Sequence, residues 1–186
     1  MVSAQSGIEL ENESTTGVNT MKTLTLVRHA KSSWNHPGLA DFKRPLNKRG
    51  ERDAPTMGSR LAAQHIRPQI IVSSPAVRAL TTAEVIASAL GNQPAEIITD
   101  DRIFHAYSDQ LLNVIRNFDA SLQHVMLVGH NPGLTDLVEQ LAQAEISNIP
   151  TCGIVVLGFS VDRWRDVSDG AGEMLLYDYP KNITPV

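Results

Sequence analysis

The sequence predicts an α/β protein: a mostly parallel mixed sheet with helices on both faces and a hairpin at its C-terminus. Three observations carry that expectation. From residue 22 onward, short apolar runs alternate with longer amphipathic stretches, the pattern of strands joined by helical crossovers. Runs such as Leu24-Thr25-Leu26-Val27 and Val125-Met126-Leu127-Val128 are nearly continuous in apolar residues, as strands covered on both faces are. The last two runs are separated by the turn-rich DRWRDVSDGAG rather than by a helix, so they pair as a hairpin and make the sheet mixed.

Branched and aromatic enrichment predicts strands over residues 23–27, 70–73, 96–99, 125–128, 153–159 and 173–177. A helix is expected over 47–65, with Asn47 as its N-cap and Pro55 kinking or breaking it. The second helix begins at Ser74-Pro75, a cap followed by proline at the first helical position. It carries Ala79, Thr82, Ala83, Ile86 and Leu90 on one face and ends at Gly91. A third helix spans 108–118. The fourth starts at Asn131-Pro132, with Leu134, Leu137, Val138 and Leu141 at helical spacing.

Composition narrows the function. The chain has 186 residues, 42% of them hydrophobic, enough for one domain with a full core. Sixteen Lys and Arg against twenty Asp and Glu give a net charge of −4, which argues against a nucleic-acid surface but leaves room for a local basic pocket. The single cysteine, Cys152, cannot form an intramolecular disulfide. It reads as a core residue in a reducing, cytoplasmic protein. No apolar run approaches the roughly 18 residues of a membrane span, and the longest, 154–161, is interrupted by Gly158. Residues 1–20 hold Glu9, Glu11 and Glu13 and no Lys or Arg, so they read as a disordered acidic tail ahead of a domain over 21–186.

The chemistry gathers at strand ends. Arg28 and His29 follow the first strand, poor core fillers placed where ligands bind in sheets of this kind. A second strand runs into Gly129-His130-Asn131-Pro132-Gly133, and a third gives way to a helix whose first turn carries Arg78. If the three strands are neighbours, two histidines and two arginines converge, a set suited to a phosphoryl group. Arginine offers a planar fork that pairs with two phosphate oxygens. A neutral imidazole has a lone pair that can attack phosphorus. A second histidine, if protonated, supports charge on the equatorial oxygens, and a helix N-terminus adds its dipole. Each piece alone has a structural reading: a hydrogen-bonded histidine, a turn, an ordinary surface arginine.

Together LVRHAKSSW with DFKRPLNKRGERDA, IVSSPAVRALTTAEVIA and VGHNPGLTDLVEQL closely resemble the histidine phosphatase superfamily, and within it the SixA-like phosphohistidine phosphatases. The similarity spans roughly residues 22–180. It implies that His29 is the phosphorylated nucleophile, Arg28 and Arg78 are phosphate clamps, and His130 is the second histidine of the phosphate pocket. It implies neither a metal nor an organic cofactor.

Many members of the superfamily carry a carboxylic acid after the third strand to protonate the leaving oxygen. Here that stretch reads TDDRIFHAYSDQLL, and the nearest residue to the expected place is His105, either an acid or a surface histidine. A phosphoimidazole needs less help, because it departs as neutral imidazole, whose conjugate acid has a reference pKa of about 6.5. About 25 residues separate the third and fourth strands, too few for a helical lid, so the pocket should be open and suited to a phosphorylated side chain on another protein. Lys31, Arg44 and Lys48 are candidate rim residues that bind substrate, although NKRGER also reads as a solvated helix start. Trp34 is a core anchor or a rim contact, and His36 a loop residue. The leading expectation is a metal-independent phosphohistidine phosphatase acting on a protein. The alternatives are a broad phosphomonoesterase or mutase for small phosphate esters, and a phosphate-binding module without turnover.

Overall fold

A computed structural model describes residues 21–35, 37–91 and 96–182; the expected acidic tail at 1–20 and His36 lie outside them. The strands are β1 (Lys22–Arg28), β2 (Ile70–Ser73), β3 (Glu96–Thr99), β4 (His124–Gly129), β5 (Ile154–Phe159) and β6 (Gly172–Asp178). The helices are α1 (Lys48–Ala63), α2 (Val77–Ala89), α3 (Ser108–Arg116) and α4 (Gly133–Ala142). All six expected strands are present within a residue of their predicted ends. They form one sheet in the order β3-β2-β4-β1-β5-β6. The first four run parallel, and β5 is antiparallel to both β1 and β6, the expected hairpin.

Alternation along the central strands divides the core into two halves. Leu24 and Leu26 of β1, Val125 and Leu127 of β4, and Val155, Leu157 and Phe159 of β5 face one side, where they pack with Leu111, Ile115, Leu134, Leu137 and Leu141. Val27, Met126, Val128, Ile154 and Val156 face the other, against Met57, Leu61, Ala79, Ala83 and Ile86. Helices α1 and α2 pack together on that second face, α3 and α4 on the first. No helix of the described residues is long and apolar enough to cross a membrane.

Three helix expectations change. α1 is capped by Asn47, whose side-chain oxygen accepts from the Arg49 and Gly50 amides, both at 3.0 Å, but it runs unbroken through Pro55. Pro55 and Glu51 are both exposed, so the carbonyl that proline deprives of its partner lies on the solvent side. α2 begins at Val77 rather than at Ser74-Pro75: the buried Ser74 hydroxyl accepts from the Ala76 amide at 3.3 Å and meets His130 Nε2 at 2.8 Å, and the chain turns helical only after Ala76. Gly91, with φ +68°, ends α2 as expected. α4 begins at Gly133, after a cis Asn131-Pro132 bond. A side chain at Gly133 would run into the Ala106 carbonyl oxygen, so the missing Cβ lets α4 approach the 3₁₀ turn and loop that carry His105.

The strand order decides the site. β2, β4 and β1 are adjacent and parallel, with Val128 of β4 paired to both Val27 of β1 and Ser73 of β2. Their carboxyl ends, and the residues that follow them, therefore stand side by side.

Candidate active site

His29 leaves β1 almost fully buried, and its ring is oriented from behind. Nδ1 lies 2.7 Å from the Ala30 carbonyl oxygen. A carbonyl only accepts, so Nδ1 carries the proton and Nε2 keeps its lone pair. The Ala30 amide in turn donates to Thr82 Oγ1 at 3.0 Å, and that hydroxyl donates to the Arg78 carbonyl at 2.6 Å. One threonine on α2 thus ties the nucleophile's loop to the backbone of the neighbouring arginine.

His29 Nε2 faces Arg78, whose Nε donates to it at 3.3 Å. NH2 of the same guanidinium lies 3.4 Å from His130 Nδ1, and His130 Nε2 lies 2.8 Å from Ser74 Oγ. Because arginine only donates, His130 Nδ1 accepts and Nε2–H donates to the serine. The two imidazole rings are 5.0 Å apart, tilted by 56°. Arg28 sends NH1 to the Ile149 carbonyl at 2.6 Å and to Asn148 Oδ1 at 3.2 Å, while its buried Nε has no hydrogen-bond partner. A buried guanidinium nitrogen left without an acceptor is an exception among buried polar groups, and an anionic oxygen is the partner its chemistry favours.

Burial, reinforced by Arg78, Arg28 and Arg44 and only partly opposed by the hydrogen bond to Ala30, pushes the His29 pKa down to about 4. Burial and the neighbouring His29, Arg78 and His105 push His130 down to about 3, against the opposite pull of Asp41. Both rings are neutral at pH 7. For His29 this is the attacking form. For His130 it departs from the protonated state that charge support would require, because the ring is buried beside His29 and Arg78.

Of the four expected residues, His29, Arg78 and His130 meet directly, while Arg28 precedes His29 and turns its NH1 toward Asn148 and Ile149. His105 joins them at the mouth: 65% of its side chain is exposed, its ring is stacked 6.2 Å from that of His130, and its Nε2 lies 3.5 Å from Asp41 Oδ2. Its φ of 56° places a non-glycine residue in the left-handed region, a strained backbone of the kind that gathers at functional sites. Phe104 backs this corner, 4.0 Å from His105 and 5.6 Å from His130 by ring centroids. Only a 3₁₀ turn, Asp101–Ile103, lies between β3 and α3, so among the described residues that connection carries no helical lid.

Of the candidate rim residues, Arg44 is buried. Its Nε donates to the Ser33 carbonyl at 3.0 Å, NH2 to Ser32 Oγ at 2.6 Å and NH1 to Asp41 Oδ1 at 2.8 Å. Arg44 therefore stands behind the pocket rather than on its rim. The guanidinium stacks 3.3 Å from the ring centroid of Trp34, which is 73% exposed and so is a rim side chain. Lys31 is half-buried, its carbonyl accepting from the Asn47 amide at 2.9 Å, and Lys48 is the exposed first residue of α1. Cys152 is buried, its thiol pushed up to about 12 by burial, a core residue that steadies the Arg28-His29 corner through its amide.

Asp41 received no role from the sequence, yet its carboxylate joins Arg44, Arg78 and His105. The available signal was its place in the DFKRPLN block, three residues before Arg44, the spacing of a one-turn ion pair.

A neutral imidazole nitrogen facing arginine donors has the chemistry that phosphoryl transfer requires, and comparisons with known proteins point to the same class of protein. Residues 24–106 match the histidine phosphatase superfamily, branch 1. The solved structure of a candidate phosphohistidine phosphatase SixA from Agrobacterium tumefaciens is 30% identical, with a TM-score of 0.72 over 86% of this chain and 98% of that one. An uncharacterized protein of Mycobacterium tuberculosis is 28% identical over 165 residues, 83% of this chain and the whole of its own. Phosphoserine phosphatase 1 of Hydrogenobacter thermophilus is 39% identical over 87 residues, 45% of this chain and 38% of that protein. The likeness to the Agrobacterium protein covers most of this chain and nearly all of that one, and the chain belongs to the histidine phosphatase superfamily as a SixA-like member.

Proposed function

We propose that the protein removes a phosphoryl group from a histidine of another protein through a covalent phosphohistidine at His29. The observation that carries this reading is the tautomer of His29: Ala30 holds the proton on Nδ1, leaving the Nε2 lone pair directed into a pocket formed with Arg78 and His130. Nε2 attacks phosphorus, the bond from phosphorus to the substrate imidazole breaks, and that imidazole departs neutral after taking up a proton. Water then attacks the phosphorus on His29, releasing inorganic phosphate and restoring the free ring. The Nε–NH2 edge of Arg78 and the unpartnered Nε of Arg28 bind the equatorial oxygens. The arriving dianion offsets the burial and the Arg78 charge that hold His130 neutral, so His130 takes up a proton and becomes a further donor. These cations supply the charge, and the step uses no metal.

The exposed Phe42 beside Phe104 supports a protein-borne substrate, as does the likeness to the candidate phosphohistidine phosphatase of Agrobacterium. A cytoplasmic place and a protein partner follow from the same reading. A second reading, a phosphomonoesterase for small esters, draws on His105 at the mouth and on the partial match to phosphoserine phosphatase 1. Turnover of a phosphohistidine protein, free phosphohistidine, phosphoserine and sugar phosphates separates the two. Phosphohistidine is expected to exceed unactivated esters by at least about tenfold in kcat/KM, the factor set by about 1.4 kcal/mol of missing leaving-group assistance. Equal rates would assign the site to the esters.

A further inference from the structure

The Arg78 guanidinium has two working edges, and both are occupied. Its Nε–NH2 edge faces His29 Nε2 and His130 Nδ1, at 3.3 and 3.4 Å. On the opposite side, NH1 donates to the Asp41 backbone carbonyl at 2.6 Å and NH2 to Asp41 Oδ2 at 2.9 Å. A single aspartate thus grips the guanidinium on the side away from the two histidines. We propose that Asp41 is a positioning residue for phosphoryl transfer, holding Arg78 so that its Nε–NH2 edge stays turned toward the nucleophile. The inference rests on the phosphoryl-transfer reading of His29.

Asp41 is suited to this because it is itself anchored. Oδ1 takes NH1 of Arg44 at 2.8 Å, and the other nitrogens of Arg44 are engaged by Ser32 and Ser33. With the Trp34 ring against its face, Arg44 forms a strut from the segment after β1 to the 3₁₀ turn Asp41–Lys43. The order Arg44, Asp41, Arg78, His29 is a continuous chain of direct contacts. Both arginines have long, flexible side chains, and a fork that must meet two oxygens in one plane loses its advantage when it swings. Partial burial pushes the Asp41 carboxyl up, but Arg78 and Arg44 outweigh it and hold the group below the usual carboxylate range. An ionised Asp41 has no proton to give a leaving group; it serves as a fixed acceptor.

The test is steady-state kinetics on p-nitrophenyl phosphate and phenyl phosphate, a good and a poor leaving group, in wild type, Asp41→Ala, Asp41→Asn, Arg78→Lys and the Arg78→Lys/Asp41→Ala double variant. Misplacement of about an ångström costs up to about 10²-fold. Asp41→Ala is therefore expected to lower kcat roughly 10- to 10²-fold, by the same factor on both substrates. Asp41→Asn, which keeps an oxygen toward Arg78, recovers part of that loss and provides the comparison if the alanine variant folds poorly. On the Arg78→Lys background the alanine substitution should cost less than about threefold, because contacting residues in one network are not additive. An unchanged kcat in Asp41→Ala overturns the proposal. So does a loss confined to phenyl phosphate, which would make Asp41 a proton donor, and so does a loss that persists in full on the Arg78→Lys background. His29→Ala is run alongside: turnover that survives it overturns the phosphoryl-transfer reading itself, whereas an inactive His29→Ala with a normal Asp41→Ala overturns the role of Asp41 alone.

Discussion

Replacing Arg78 by lysine keeps the positive charge and removes the fork. In the wild-type protein the guanidinium makes four contacts through three nitrogens: Nε to His29, NH2 to His130 and Asp41 Oδ2, and NH1 to the Asp41 carbonyl. A lysine ammonium is a point charge. It can replace the Asp41 carboxylate contact or reach toward the histidines, and the acidic partner should win. The edge that meets two phosphoryl oxygens is then lost. Removing one preorganised transition-state donor costs about 10²- to 10³-fold in rate, or about 2.7 to 4 kcal/mol at 1.36 kcal/mol per decade. Folding should suffer less. Hydrogen bonds contribute about 0.5–1.5 kcal/mol each, and lysine retains part of the Asp41 contact, so the net cost is about 1–2 kcal/mol. At about 2–4 °C per kcal/mol for a chain of this size, Tm should fall by about 2–8 °C. The assay is kcat on free phosphohistidine and p-nitrophenyl phosphate beside a thermal melt. A kcat within about threefold of wild type would remove Arg78 from the transition state, and a Tm loss far above that range would mean that its buried role is chiefly structural.

Brief incubation with phosphoryl-labelled substrate and an alkaline quench should leave label on His29, stable in base and lost in mild acid; His29→Ala should abolish label and turnover, while label mapped to His130 would exchange the two roles. Thermal melts across pH should show acid destabilisation. His29, His124 and His130 have folded pKa values of about 4, 4 and 3, below their unfolded value of 6.5. Between those limits the unfolded chain binds more protons, so stability is complete above about pH 6.5 and falls toward pH 4 and 3. A Tm that stays flat from pH 7 to 4 would refute the neutral assignment of these rings. Gly133→Ala places a Cβ against the Ala106 carbonyl and should cost about 1–3 kcal/mol of stability; an unchanged Tm would show that α4 can retreat without loss.

The strands were legible in the sequence because burial on both faces demands near-continuous apolar runs, and a run such as Val125 to Val128 has few other uses. The face of α2 was legible for the same reason, since a buried stripe must repeat at helical spacing, and the start of α3 matched while its end came at Arg116, two residues early. The start of α2 was less so. Ser74-Pro75 has the composition of a cap, but a serine hydroxyl goes to whichever partners the tertiary structure offers, and here His130 is one of them.

Arg28, His29, Arg78 and His130 could be named from local pattern because each lies at or within a few residues of the carboxyl end of one of three strands, and the order of those strands in space was the one assumption needed. The sequence by itself therefore determined the elements, the class of fold and the residue types of a phosphoryl site. Tertiary structure alone decided how those residues face one another. The tautomer of His29 depends on a carbonyl beside it, the neutral state of His130 on burial and on neighbours such as Arg78, 52 residues away along the chain. Asp41 depends on Arg78, 37 residues distant. Side-chain direction, dielectric and charge are properties of the space a residue occupies, and its neighbours in sequence specify that space only through the fold.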